Sequence, residues 1–135
     1  MATIDLSQII TAEMKAEAAR ERKHAEINAE RQRRIIAGTV IDGVRVTGRD
    51  EDARNLTTLA LAAQMRIGMG DATTPTTYRD GDNVDHELTP PQMLALWQQS
   101  AEYVSALYAA SWAIKAMEPP PEDVTADELW PVSPE

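Results

Sequence analysis

"GTVIDGVRVTG", residues 38–48, contains the clearest structural pattern in the chain. Apolar residues alternate with others on both sides of Asp42-Gly43, a dipeptide that accepts the positive φ required at both central positions of a type I′ turn. The pattern predicts a tight β-hairpin in which Ile41, Val44 and Val46 share one face. The segments on either side can then be placed relative to this turn.

Residues 5–37, before the hairpin, are predicted to form one long helix. No Pro or Gly interrupts the segment, Asp5 and Gln8 can form a capping box, and Gly38 follows its end. Its apolar side chains are concentrated at the two ends. Between them the helical spacing gives a row of small and polar residues instead of a coiled-coil seam: Ile10, Met14, Ala18, Glu21, Ala25, Asn28, Gln32 and Ile36.

Two interpretations of this helix remain open at the level of sequence. It is either a solvated arm that local ion pairs stabilise, or an oligomerisation or docking helix whose small residues permit close approach. In either case the middle of the helix is expected to bury little surface. We favour the second interpretation, because an isolated helix is marginally stable without tertiary packing.

A second helix and a second, weaker hairpin follow. Asp50 is the expected cap of the helix, and glycines at 68–70 end it. Its predicted buried stripe consists of Leu56, Leu59, Ala60, Ala63 and Ile67. Residues 71–77 are expected to be loop, and residues 78–88 to form a hairpin that turns at 80–83, where Asp, Asn and Gly are concentrated.

The third helix has the clearest start signal in the chain. Thr89 is the expected N-cap, Pro90 fills the first helical position, and Gln92 completes a capping box. Prolines at 119–121 stop the helix. Its predicted core stripe is Met93, Trp97, Val104, Leu107, Tyr108 and Ile114. Trp112 falls on a flanking face and is expected at an interface.

Together these elements predict an α+β fold, with a long N-terminal helix, a β-hairpin, and two further helices that have a second short hairpin between them. Three segments are expected. Residues 1–37 form a helical arm for oligomerisation or docking, residues 38–118 form a compact α+β domain, and residues 119–135 form an acidic, Pro-rich tail. In this tail Thr125 is expected to cap one turn, and Trp130 is expected to dock against a surface that the sequence does not identify.

Composition limits the classes of partner. The chain of 135 residues is 43% hydrophobic, which suits one modest core. Residues 50–135 hold four Lys or Arg against fifteen Asp or Glu, and this acidic body repels phosphate backbones, so nucleic acid is not an expected partner. The absence of cysteine excludes thiolate chemistry, and no apolar run approaches the length of a membrane span. No secretory signal pattern is present.

The acidic stretch "DGDNVDHE", residues 80–87, invites a calcium interpretation that its register does not support. Counting from its first Asp, an EF-hand would place Val84 at the fifth position and Pro91 at the twelfth. His24 and His86 belong to no metal-binding motif, and the chain lacks the nucleophile-elbow, P-loop and dinucleotide signatures. We therefore expect no cofactor and no enzymatic activity. A small metal-dependent enzyme is the alternative, using Asp80, Asp82, Asp85 or His86.

Two stretches, "RQRRIIAGTVIDGVRVTGRDEDARNLTTLALAA" and "YRDGDNVDHELTPPQMLALW", together resemble a small domain of unknown function found in bacteriophage and prophage tail proteins and tail-fibre assembly proteins. The shared features are a basic helix end, the V-x-D-G-V-x-V hairpin, and an aromatic and D-G ahead of E-L-T-P. The resemblance runs from about Arg31 to Met117. It implies a protein made in the host cytoplasm and located in the virion tail, and it transfers no catalytic residues.

The resemblance implies a non-enzymatic structural protein at the tail tip or tail fibre that oligomerises through its N-terminal helix. We expect a trimer, because fibres commonly have threefold symmetry, and we expect other phage tail or fibre proteins as partners. The alternative is a tail-fibre assembly chaperone that acts in the host cytoplasm. The candidate contact residues are Ile9, Ile10, Met14, Ala18, Ala25, Ile36, Trp112 and Trp130.

Overall fold

A computed structural model describes residues 6–132 of the chain. In chain order these residues form α1 (Leu6–Ala37), β1 (Thr39–Ile41), β2 (Val44–Val46), α2 (Asp50–Gly68), β3 (Thr76–Arg79), β4 (Asp85–Leu88), α3 (Pro90–Lys115) and a 3₁₀ turn at Asp127–Leu129. β1 pairs with β2 and β3 pairs with β4, both antiparallel. The predicted α+β arrangement is confirmed. The predicted cap at Asp5 lies outside the described residues.

The first hairpin forms as the sequence predicts. Asp42 and Gly43 have φ values of 49° and 78°, the left-handed pair of a type I′ turn. Ile41, Val44 and Val46 are buried on one face. This face contributes to the first hydrophobic cluster, in which the hairpin packs against α2 and α3: Ile41, Val44, Val46, Leu56, Ala63, Tyr78, Met93 and Leu96.

The second helix differs from its prediction at both ends. Its N-cap is Arg49, which makes no side-chain capping bond, so Asp50 lies one residue inside and contributes through its charge in the first turn. At the other end Ile67 is exposed, because the helix extends past the surface that covers Leu56, Ala60 and Ala63. The stripe is therefore covered from Leu56 to Ala63 and exposed only at Ile67.

The third helix begins with the predicted capping box. The Gln92 N–H donates to Thr89 Oγ1 at 3.4 Å, and the Thr89 N–H donates to Gln92 Oε1 at 2.9 Å. Trp97 and Tyr108, however, are not in the core: they are 39% and 37% exposed. Their rings lie at the edge of the buried face, whose centre is occupied by smaller side chains, namely Met93, Leu96, Leu107, Ser111 and Ile114.

A second hydrophobic cluster joins the C-terminal half of α1 to the C-terminal half of α3. Its buried members are Ile27, Ile35, Leu107, Ile114, Val124 and Trp130. The expectation that the middle of α1 buries little was wrong for this face, since Ile27 is fully buried. These contacts cross the boundaries predicted at residues 37 and 119.

The segment after α3 returns along α1 and ends at Trp130. The Trp130 indole N–H donates to the Val124 carbonyl oxygen at 2.8 Å, and the Arg34 guanidinium lies 5.4 Å from the centre of the indole ring. Arg34 also donates to Asp127 Oδ1 at 2.8 Å. Thr125 does not cap the 3₁₀ turn; Ala126 is at that position and makes no side-chain bond. None of the helices within residues 6–132 is long and apolar enough to cross a membrane.

Candidate interaction surface

The N-terminal part of α1 extends beyond the rest of the chain. We call residues 6–17 the arm. The side chains that the structure describes in the arm are all exposed, whereas farther along α1 Lys23, His24 and Ile27 lie against α3 and the segment that follows it. At 1.5 Å per residue the arm is about 18 Å long. It is therefore a helical projection without packing partners among the described residues.

The arm carries a stripe of apolar side chains on one side. Leu6, Ile10 and Met14 are four residues apart, and Ile9 lies next to them on the same side. These four side chains are 45–68% exposed. Large aliphatic side chains grouped on an uncovered helix are typical of a surface that a partner covers, whereas isolated ones are ordinary. The arm is therefore the first part of a candidate interaction surface.

A second part of the surface lies on α3. Trp97, Tyr108 and Trp112 fall on one side of this helix, and we call these three residues the aromatic face. Trp112 is 62% exposed, and its ring centre lies 6.1 Å from that of Tyr108 at an interplanar angle of 55°. Tilted pairs of this kind are favourable contacts between aromatic rings. Trp and Tyr are also the residues most enriched among binding hot spots.

Arg31 of α1 completes the aromatic face. Its guanidinium carbon lies 4.3 Å from the centre of the Tyr108 ring, a cation–π contact. Its Nη1 donates to Asn28 Oδ1 at 3.2 Å and to Ser111 Oγ at 3.1 Å, while its buried Nε has no acceptor in the described part of the chain. The guanidinium is thus held in place by neutral groups, and its charge has no carboxylate counterpart there.

The structure separates the eight predicted contact residues into four places. Ile9, Ile10 and Met14 lie on the arm, and Trp112 lies on the aromatic face. Ala25 and Ile36 are exposed and Ala18 is partly covered, and helical spacing places all three on the side of α1 opposite Ile27. Trp130 is buried inside the chain and does not belong to the surface. Arg31, Trp97 and Tyr108 were missed as surface residues, because the position of each depends on how the helices pack.

The acidic turn of the second hairpin holds the two hairpins together. The Asp80 carboxylate is buried, accepts from the Asp82 and Val84 N–H groups at 2.8 and 3.0 Å, and lies 2.7 Å from His86 Nε2. It also accepts from the Arg45 N–H of β2 at 3.3 Å. Residues 6–132 contain no cluster of acids and histidines that could hold a metal ion. The geometry therefore assigns Asp80 to folding.

These contacts lower the pKa of Asp80. Burial alone would raise the pKa, but the contact with His86 and the hydrogen bonds from Val84, Asp82 and Arg45 outweigh burial and bring it from 3.8 to about 2. Because the folded-state pKa lies below the unfolded one, the ionised carboxylate stabilises the fold fully above the unfolded pKa. This contribution is lost as the pH falls through the folded pKa.

Asp80→Asn should therefore reduce the free energy of unfolding by about 2 kcal/mol at pH 7, and the deficit should shrink as the pH falls from about 4 to about 2. Urea unfolding of both proteins across this pH range measures the difference. Asp82→Asn is the matched control. The Asp82 side chain is largely exposed, and its distance of 3.9 Å from Arg45 Nε is long for an ion pair, so the effect of this substitution should be small. A deficit that is equal at pH 2 and pH 7 would contradict this role of Asp80.

Comparison with known protein families places most of the chain in one family. A family model described as "Domain of unknown function (DUF4376)" matches residues 18–129. No curated protein and no solved structure matches the chain. The matched range includes residues from both hydrophobic clusters and the aromatic face, whereas the arm lies before it.

Proposed function

The chain belongs to the DUF4376 family, whose function is unknown, and we propose that it is a non-enzymatic structural protein of a bacteriophage tail. In this proposal it is a component of the tail tip or a tail fibre, and it oligomerises through its N-terminal helix. The phage assignment is supported by the resemblance of the first hairpin and of the start of α3 to phage tail domains. The binding role is supported by the arm.

The single observation that carries the proposal is the exposed apolar stripe of the arm. Burying a Leu, Ile or Met side chain fully is worth about 1.5–3 kcal/mol. Since the four arm side chains are roughly half exposed in the single chain, covering them would contribute roughly 1 kcal/mol each, multiplied by the number of arms in the assembly. A free energy of this size is enough to stabilise a specific oligomer. It is not gained if the arm stays in solvent.

A binding role also agrees with how the polar residues are used. Arg34 holds the C-terminal segment through Asp127, and Asp80 holds the second hairpin against the first. Arg79 and Asp85 pair across the second hairpin, with Nε and Oδ1 2.8 Å apart. Asp80, Asp85 and His86, which the alternative enzyme would need, are thus engaged in the structure of the hairpin, while the exposed surface offers apolar and aromatic side chains.

A tail-fibre assembly chaperone is the second candidate. The same arm and aromatic face favour it, because a chaperone needs exposed apolar groups with which to cover a client chain before assembly. It would act in the host cytoplasm and leave before the particle is complete. The two candidates therefore differ in whether the protein stays in the virion.

Quantitative mass spectrometry of purified phage particles tests the proposal. A structural protein should be present at a fixed number of copies per particle, a multiple of three where the site has threefold symmetry. Abundance in infected cells together with absence from purified particles would contradict the structural role and favour the chaperone. A phage whose genome lacks the gene, supplied with the protein only from the host cell, serves as the control for host-cell protein that co-purifies with the particles.

A further inference from the structure

We propose that the aromatic face of α3 receives the arm of a second copy of the chain, so that neighbouring copies exchange arms. This inference rests on the proposed self-association through the N-terminal helix, and it names the surface to which that helix binds. The occupant is the apolar stripe of Leu6, Ile9, Ile10 and Met14. The receiving residues are Trp97, Tyr108, Trp112 and Arg31.

The arm cannot reach the aromatic face of its own chain. α1 is one continuous helix, and Arg31 lies beside Tyr108. Met14 is about 25 Å from Arg31 along that helix, and Leu6 is farther still. The arm projects past the same end of the molecule at which Trp112 lies, one turn before α3 ends at Lys115. The arm of a second copy that approaches this end from the opposite direction would lie beside the aromatic face.

The arm stripe fits within the length of the aromatic face, and the two surfaces are chemically complementary. The arm stripe extends about 12 Å from Leu6 to Met14, and the aromatic face extends about 22 Å from Trp97 to Trp112. An amphipathic helix that lays its apolar side chains against a neighbouring surface is a common mode of recognition. Met14 suits aromatic rings, because a thioether sulfur makes favourable contacts with them. In the proposed contact, the aliphatic side chains of the arm and the aromatic rings of α3 would thus cover each other.

The charges also match. Glu13 lies on the same side of the arm as the apolar stripe, and among the described residues it has no ion pair or hydrogen bond. Arg31 lies on the aromatic face and lacks a carboxylate. In an exchanged contact the carboxylate of one copy would meet the guanidinium of the next. Lys15 projects from the opposite side of the arm and would stay in solvent.

Complementation between two full-length variants tests this contact. The arm variant carries Ile10→Asp and Met14→Asp, and the face variant carries Trp112→Asp. Because Trp112 and the two arm residues are exposed, both variants should fold. Each alone should be monomeric in analytical ultracentrifugation, with at least about a hundredfold weaker association than the unsubstituted chain. Mixed together, they should form a heterodimer, since one still has a competent face and the other a competent arm.

The other outcomes separate this inference from the proposed function. If the face variant associates as tightly as the unsubstituted chain while the arm variant is monomeric, arms pair with arms; the inference is then overturned and self-association stands. If the unsubstituted chain is itself monomeric, both fail. Leu61→Asp, at an exposed position of α2, is the control, and this variant should associate as tightly as the unsubstituted chain. Glu13→Lys should weaken association, whereas Lys15→Glu should leave it within about twofold.

Discussion

Replacing Gly38 by Ala should lower the melting temperature by roughly 10–20 °C, the largest loss expected from a single added methyl group in this chain. Gly38 joins the end of α1 to the first hairpin with a φ of +72°. A Cβ atom there would lie 1.8 Å from the carbonyl oxygen of Val46 and 2.7 Å from the Cα of Thr47. Both are backbone atoms, so no side-chain rotation can relieve the overlap.

The expected loss has two parts. A left-handed conformation costs a residue with a Cβ about 1–2 kcal/mol, and forcing a tightly packed site apart costs about 1–3 kcal/mol more. Gly43→Ala is the control for the first part, since its φ is +78° and nothing lies within 4 Å of the added atom. Thermal unfolding followed by circular dichroism compares the two. Equal decreases in melting temperature for the two substitutions would contradict the close contact between Gly38 and the end of β2.

Placing two charges on the arm should abolish self-association and leave the fold intact. Ile10→Asp combined with Met14→Asp would place two carboxylates where an apolar contact is proposed, and an unpaired charge at such a contact is costly. Association should weaken at least about a hundredfold, equivalent to about 2.7 kcal/mol. The melting temperature of the monomer should not change, because neither residue belongs to either hydrophobic cluster.

The matched control places the same two charges on another exposed helix. Leu61→Asp with Met65→Asp on α2 also replaces two exposed apolar side chains four residues apart. This variant should associate like the unsubstituted chain in light scattering. If both double variants dissociate equally, net charge would be responsible instead of the arm, since each adds two negative charges to an acidic protein.

Features that depend on neighbouring residues in the chain could be predicted from the sequence. The turn at Asp42-Gly43 follows from the φ that each residue tolerates, and the start of α3 follows from the hydrogen bonds between Thr89 and Gln92. Both were confirmed. Such signals involve few residues and do not depend on how the helices pack.

Features that depend on tertiary packing could not be predicted. Ile27 is the one large apolar residue in a polar stretch of α1, and its burial relies on Leu107 and Ile114 of α3 together with the returning segment. Trp97 and Tyr108 follow the core spacing of α3, yet the buried face is centred on smaller residues beside them. Helical spacing identifies residues that share a side, but it does not show which edge of that side a neighbour covers.

The candidate surface likewise contains some residues that could be predicted from the sequence and others that could not. Ile9, Ile10 and Met14 could be recognised because they are apolar residues at the end of a charged helix. In the sequence Arg31 is one of several basic residues before the hairpin, and only its position over Tyr108 distinguishes it. Trp130 was expected to dock and does so, but within its own chain.

The molar mass of the full-length chain in solution shows whether the chain self-associates. Light scattering across a wide range of protein concentrations should give a multiple of 14.9 kDa, and three times this mass if threefold symmetry holds. The arm of each copy would then be covered by another copy. A mass of 14.9 kDa at every concentration would contradict self-association through the N-terminal helix.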